Sequence, residues 1–151
     1  MKVSFTVPGE PKGKGRPRFS VKRTKQGGSY VNVRTPESTR AYENLVAMEY
    51  ARQCRGIWFE DKIPIRMHIL AYFGIPKSAS KKNKAEMLSM QQRPVKKPDM
   101  DNIVKAIADS LNDLAYHDDS QIVETTVEKF YGEEPRVEVV IEDVKGENQD
   151  E

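Results

Sequence analysis

Residues 63–73 set Ile63, Ile65, Met67, Ile69, Ala71 and Phe73 against Pro64, Arg66, His68 and Tyr72. Alternation of this length specifies a β-strand with one apolar face, because successive side chains point to opposite sides of a sheet. His68 falls on the polar phase and reads as a surface residue. Such a strand needs neighbours, and the chain supplies them. Val3, Phe5 and Val7 alternate with Lys2, Ser4 and Thr6 and stop at Pro8-Gly9. Residues 122–131 and 136–141 read as two further strands turned at Gly132-Glu133-Glu134-Pro135. In the second of these, Val137, Val139 and Ile141 alternate with Arg136, Glu138 and Glu142. Phe19-Ser20-Val21 and Tyr30-Val31-Asn32-Val33 flank Gly27-Gly28 as a basic hairpin.

Two helices accompany the strands. Thr35-Pro36-Glu37 is a start signal: a capping hydroxyl, a proline in the first turn, and an acid near the positive end of the dipole. Ala41, Leu45, Met48 and Ala51 then recur at helical spacing to a stop at Gly56, giving a helix over about 36–55. Tyr42, Tyr50 and Cys54 read as packing residues. Asp99 or Asp101 caps a second helix over about 101–114, whose apolar face is Ile103, Val104, Ile107, Leu111 and Leu114. With 151 residues the chain fits one domain, over residues 1–143, followed by an acidic, disordered tail from 144. Residues 77–97 read as a mobile basic flap, with a short helix possible at 85–90.

The near-neutral net charge of +2 hides a strong polarity. Residues 1–97 hold 21 Lys and Arg against 7 acids, whereas residues 98–151 hold 4 against 16. Asymmetry of this kind points to nucleic acid on the basic side. Between Pro11 and Pro36 there are eight Lys or Arg and no acid, so the loop carrying Lys12, Lys14, Arg16 and Arg18 is expected to contact phosphate, as are Lys96 and Lys97. The loop is not a Walker A element, since Gly15 follows Lys14 where Ser or Thr is required. One cysteine, Cys54, excludes a disulfide framework within the chain. No apolar run reaches the length of about 18 residues that a membrane helix needs, and the start lacks the apolar core of a secretory signal. The cytoplasm is the expected compartment, with no membrane partner.

The chemistry concentrates in Pro98-Asp99-Met100-Asp101-Asn102-Ile103-Val104-Lys105 and its continuation through Asp109 to Asp118-Asp119-Ser120-Gln121. Asp99 and Asp101 stand two apart in the helix entry and can point the same way. Asp101, Lys105 and Asp109 follow at i, i+4 and i+8 on one helical stripe, which makes Asp109 a partner for Lys105. An EF-hand is excluded: counted from Asp99, position six is Val104 rather than Gly and position twelve is Ser110 rather than Glu. Each aspartate alone reads as a cap or turn residue. Together, hard carboxylates beside a basic surface suit Mg²⁺, with coordination completed by water and phosphate oxygens. Metal-assisted phosphodiester hydrolysis follows, with Lys105 holding a carboxylate or neutralising charge on the phosphate. His117 reads as an exposed turn residue.

These residues resemble the RusA family of Holliday-junction resolvases. The similarity lies in Lys97-Pro98-Asp99-Met100-Asp101-Asn102, Lys105, Asp109-Ser110-Leu111 and Asp118-Asp119-Ser120-Gln121-Ile122, with Gly15-Arg16-Pro17-Arg18-Phe19 similar to the start of many members. The resemblance implies a compact α+β domain and a Mg²⁺-dependent (or Mn²⁺-dependent) homodimeric endonuclease that cuts four-way junction DNA symmetrically in recombination and repair. It further implies Asp99, Asp101 and Asp119 as metal-binding carboxylates and Lys105 as the essential lysine, and leaves Asp118 open. The basic stretch 77–97 departs from shorter members. A non-catalytic DNA-binding or phage regulatory protein, and a nuclease for other branched DNA, are the competing readings.

Overall fold

The computed structural model describes residues 1–16 and 18–144, without the side chain of Arg18; the tail expected from 144 onward lies outside the described residues apart from Val144. The elements are β1 (Lys2–Pro8), β2 (Arg18–Arg23), β3 (Ser29–Arg34), α1 (Glu37–Cys54), β4 (Ile65–Gly74), α2 (Lys81–Leu88), α3 (Met100–Ser110), β5 (Ile122–Gly132) and β6 (Arg136–Asp143). A four-stranded mixed sheet runs in the order β1-β6-β4-β5, and β2-β3 forms a separate two-stranded ribbon. The β4–β5 pair is parallel, so the chain between them must cross over, and α2 and α3 lie in that crossover. The expected α+β class and the expected strands are present.

Every alternating strand puts its apolar phase on the same side. Val3, Phe5 and Val7 of β1, Val137, Val139 and Ile141 of β6, and Ile65, Met67, Ile69, Ala71 and Phe73 of β4 are all buried. Their cover is Tyr42, Val46, Tyr50 and Cys54 from α1 and Ile103, Ala106 and Ile107 from α3, joined by Leu111, Ala115 and Tyr116 beyond α3. Burial of one large aliphatic side chain contributes roughly 1.5–3 kcal/mol, against about 0–1 for an exposed ion pair. The apolar stripe, not the charges, therefore fixes where α3 and its aspartates sit. On the opposite face Arg66 bridges Glu124 of β5 and Glu142 of β6, its register neighbours, and His68 meets Glu128 at 2.8 Å.

Three local details depart from the sequence reading. Pro36 itself takes the N-cap position of α1 with no side-chain cap, leaving Thr35 one residue outside, and the helix ends on left-handed Arg55 before Gly56. Ser80 accepts from the Asn83 amide and starts α2 at Lys81, four residues ahead of the expected short helix. The helix expected to reach 114 stops at Ser110. There the Leu111 and Asn112 amides bond to Ala108 and Asp109, three residues back, and Asp113 turns left-handed at φ 60°. Leu111 and Ala115 keep the helical apolar spacing because both still pack in the core.

Candidate active site

The carboxylates that look alike in sequence occupy different environments. Asp99 stands at the N-cap of α3 with extended backbone (φ −70°, ψ 157°), and its carbonyl accepts the Ile103 amide, yet its side chain makes no capping bond. Asp101 lies in the first turn, and both side chains are exposed. Lys105, also exposed, follows one turn on. Asp109 is eight residues beyond Asp101, about 12 Å along the helix axis at 1.5 Å per residue.

Asp118 is the aspartate that caps. It accepts from the Ser120 amide at 3.1 Å, and Gln121 closes the reciprocal box by accepting from the Asp118 and His117 amides. The other end of the Gln121 amide donates to the Glu60 and Ile63 carbonyls at 3.0 and 3.3 Å, tying this turn to the strand entry. Asp118 is held below the usual carboxylate range by its bonds to Ser120. Asp119 behaves oppositely: burial, then the negative charges of Asp109 and Asp118, push its carboxyl up. The turn thus spends Asp118 on structure and leaves Asp119 as the strained charge.

Lys14 was expected to face phosphate, but its Nζ lies 2.7 Å from Glu43 of α1 and 3.0 Å from Asp109 of α3. The physical reason is that the glycine loop lies down on the helices. The Lys14 amide donates to the Asn102 carbonyl and the Gly15 amide to Thr39 Oγ1. A Cβ on Gly13 would stand 3.0 Å from both Pro98 and Asn102, and one on Gly15 would fall 2.5 Å from Thr39 Oγ1, so the approach requires glycine. Lys14 stretches between two carboxylates as an internal counter-ion. It replaces Lys105 as the partner of Asp109, a contact 95 positions away that helical spacing could not disclose.

Of the other basic residues, Lys12 and Lys97 come together. Lys12 and Arg16 are exposed on the loop. Lys12 and Lys97 line one cleft of about 360 Å³ with Gly13, Gly15 and Pro98. The segment before Asp99 is pinned by cations on rings. Arg93 lies 4.4 Å from the Phe130 centroid, and Lys96 and Lys129 lie 5.8 and 5.1 Å from that of Phe73. Lys129 also donates to the Lys96 carbonyl at 2.6 Å and Arg93 to that of Lys129 at 2.9 Å. Lys129 was not singled out in the sequence and Arg93 entered only as one cation of the basic stretch 77–97; no spacing signals these contacts, since the rings stand on two different strands. Arg18 lies outside the described side chains.

Among the described residues, no three His, Cys, Asp or Glu side chains gather at metal-holding spacing, so Asp99 and Asp101 at one end of the α3 stripe and Asp119 near Asp109 do not form a closed cage. Mg²⁺ does not require one: it keeps several waters and takes one or two carboxylates plus substrate phosphates. The hard oxygen donors and the uncompensated charge at Asp119 fit such an ion. A consequence can be measured without substrate. A raised folded-state carboxyl pKa means that the native state binds the proton more tightly, so stability falls as pH rises from the unfolded value of about 4 through the folded one. In EDTA, Asp119→Asn is expected to melt above the wild type near neutral pH, with the gap closing below about pH 4. A gap of the same size at every pH would remove the charge argument.

The uncommitted carboxylates at the start of α3 beside a basic loop suit a nuclease that acts on DNA, the class in which a family match puts the chain. The chain matches the family model of endodeoxyribonuclease RusA over residues 8–142 and belongs to that family. It is also 45% identical over 148 residues to the uncharacterized protein YqaN of Bacillus subtilis (strain 168), a match covering 94% of this chain and 96% of that protein. No helix among the described residues is long and apolar enough to cross a membrane.

Proposed function

We propose that the protein is a Mg²⁺-dependent endonuclease that resolves four-way DNA junctions by paired, symmetric nicks in recombination and repair. The observation that carries this reading is Asp99: it occupies a capping position yet leaves its carboxylate uncommitted, beside Asp101 and the Lys12–Lys97 cleft. An aspartate kept for helix stability would behave as Asp118 does. Family membership supports the DNA endonuclease class.

In this reading Asp99, Asp101 and Asp119 are the carboxylates offered to divalent metal, one or two of them to any one ion, with Mn²⁺ able to substitute for Mg²⁺. The chemistry such an ion supplies when bound is Lewis-acid polarisation of the phosphate and a nucleophilic water at neutral pH. Lys105, free and exposed on the same stripe, neutralises charge that builds on the scissile phosphate. Lys12, Arg16, Arg18, Lys96 and Lys97 position the neighbouring phosphates, and Lys14 keeps the loop seated and Asp109 compensated. Two strands cut at symmetric positions call for two such sites related by a two-fold axis, hence a homodimer.

Labelled four-way junction, linear duplex and flap DNA incubated with the protein in Mg²⁺ test the reading. Paired symmetric nicks confined to the junction are expected. Equal cutting of the flap would move the substrate to branched DNA in general, and no cleavage of any of the three would overturn the enzyme assignment.

A further inference from the structure

The β2–β3 ribbon contributes nothing to the core, whose buried members pass from Val7 directly to Tyr42. It pairs in register from Arg18↔Arg34 to Arg23↔Ser29, and directly opposed residues share a face. One face is apolar: Phe19 opposes Val33 and Val21 opposes Val31, with exposures of 69, 58, 70 and 61%. The other face carries Ser20 opposite Asn32 and Lys22 opposite Tyr30, with Arg34 continuing the phase. A two-stranded ribbon with neither face covered is at best marginally stable in water, so its sequence answers to something outside the domain.

We infer that this ribbon is a second DNA-binding element, which lies in the groove of a duplex arm away from the cleavage point and reads it. The inference rests on the endonuclease reading and extends it to an element with no part in the chemistry. Charge chooses the occupant. From Arg18 to Arg34 the chain carries five Lys or Arg and no acid, so another copy of the ribbon would repel this one while a phosphate-walled groove attracts it. Size agrees, since the major groove admits a two-stranded β-ribbon. The face of Asn32, Lys22 and Arg34 offers donors suited to base edges and phosphates.

The root of the ribbon fixes where it acts. Gly15 is held against Thr39 and Pro36, next to the cleft shared by Lys12 and Lys97. Strands of six residues reach roughly 20 Å at about 3.3 Å per residue, or about six base pairs at 3.4 Å each. The ribbon therefore gives the protein a source of sequence preference spatially separate from its carboxylates.

The test compares the full-length wild type with a variant carrying Lys22→Gln, Arg23→Gln, Lys25→Gln and Arg34→Gln, and with a second in which residues 19–33 are replaced by a short Gly-Ser link. Thermal melting checks folding, and binding is titrated across salt on junctions whose arms are longer or shorter than about six base pairs. On long arms the charge variant is expected to bind at least about tenfold more weakly, with a salt slope shallower by roughly 3 to 4. On short arms the difference between wild type and variants is expected to vanish. Indistinguishable affinities and slopes on long arms, from a wild type that does nick junctions, would overturn the ribbon's role and leave the nuclease standing. So would a change from dimer to monomer by light scattering in the linked variant with the salt slope unaltered, because the apolar face would then belong to a second copy. A wild type that neither binds nor cuts DNA would remove both readings.

Discussion

Asp101→Asn is expected to lower Mg²⁺-dependent nicking of a four-way junction by more than about 100-fold while junction binding stays within about threefold of wild type. Loss of an outer-shell partner alone typically costs 10–100-fold in metal-site activity, and Asp101 is assigned to direct contact with the ion. Binding is expected to survive because the proposed phosphate contacts lie on Lys12, Arg16, Lys96 and Lys97, none of which pairs with Asp101. The substitution keeps size and helix position, so a folding defect is not the expected cause. Nicking assays and gel-shift titrations on the same preparation separate the two effects. Cleavage at the wild-type rate would show that Asp101 is a surface residue of the first helical turn and nothing more.

Much of this site is legible in the sequence, and the limits have definite causes. Alternation located β1, β4 and β6 because each buries one complete face. The i, i+4, i+8 stripe placed Asp101, Lys105 and Asp109 on one side of α3 because the apolar residues on the other side are anchored in the core. Spacing could not say that Lys14 reaches Asp109, since that contact depends on two glycines letting a distant loop lie on the helix. Nor could it divide Asp118 from Asp119. Adjacent aspartates are equivalent until the Gln121 box assigns one of them to the backbone.

The second large effect is expected from Tyr116. Its ring is fully buried against the core, and its hydroxyl donates to the Ala108 carbonyl at 2.7 Å, satisfying an acceptor near the end of α3. Burial first, and then the charges of Asp119, Asp109 and Asp118, push its phenol far above the ordinary value, so it remains a neutral donor. Tyr116→Ala is expected to cost about 3–5 kcal/mol by urea unfolding, because it leaves a large cavity in the core and removes one of the two hydrogen bonds to the Ala108 carbonyl, which keeps the Leu111 amide. Tyr116→Phe keeps the ring and is expected to cost about 0.5–1.5 kcal/mol, the net worth of one hydrogen bond, since the Ala108 carbonyl still accepts the Leu111 amide. Since Tyr116 stands three residues before Asp119, the Ala variant is also expected to lose nicking at temperatures where it remains folded. A loss of stability below about 1 kcal/mol in the Ala variant would mean that the turn is held by Gln121 alone.

The strand order β1-β6-β4-β5 has a consequence for synthesis. The inner position between β1 and β4 is filled by β6, so residues 2–8 wait for residues 136–143 before they have a strand to pair with. Pairings so distant in sequence form late, after the loop-closure entropy has been met. During translation the basic ribbon and loop leave the ribosome first, while the sheet that seats the aspartate helix closes only after residue 143 has emerged. A chain interrupted before that point lacks the strand that joins β1 to β4, and with it Val137, Val139 and Ile141 of the core on which the aspartate helix is seated.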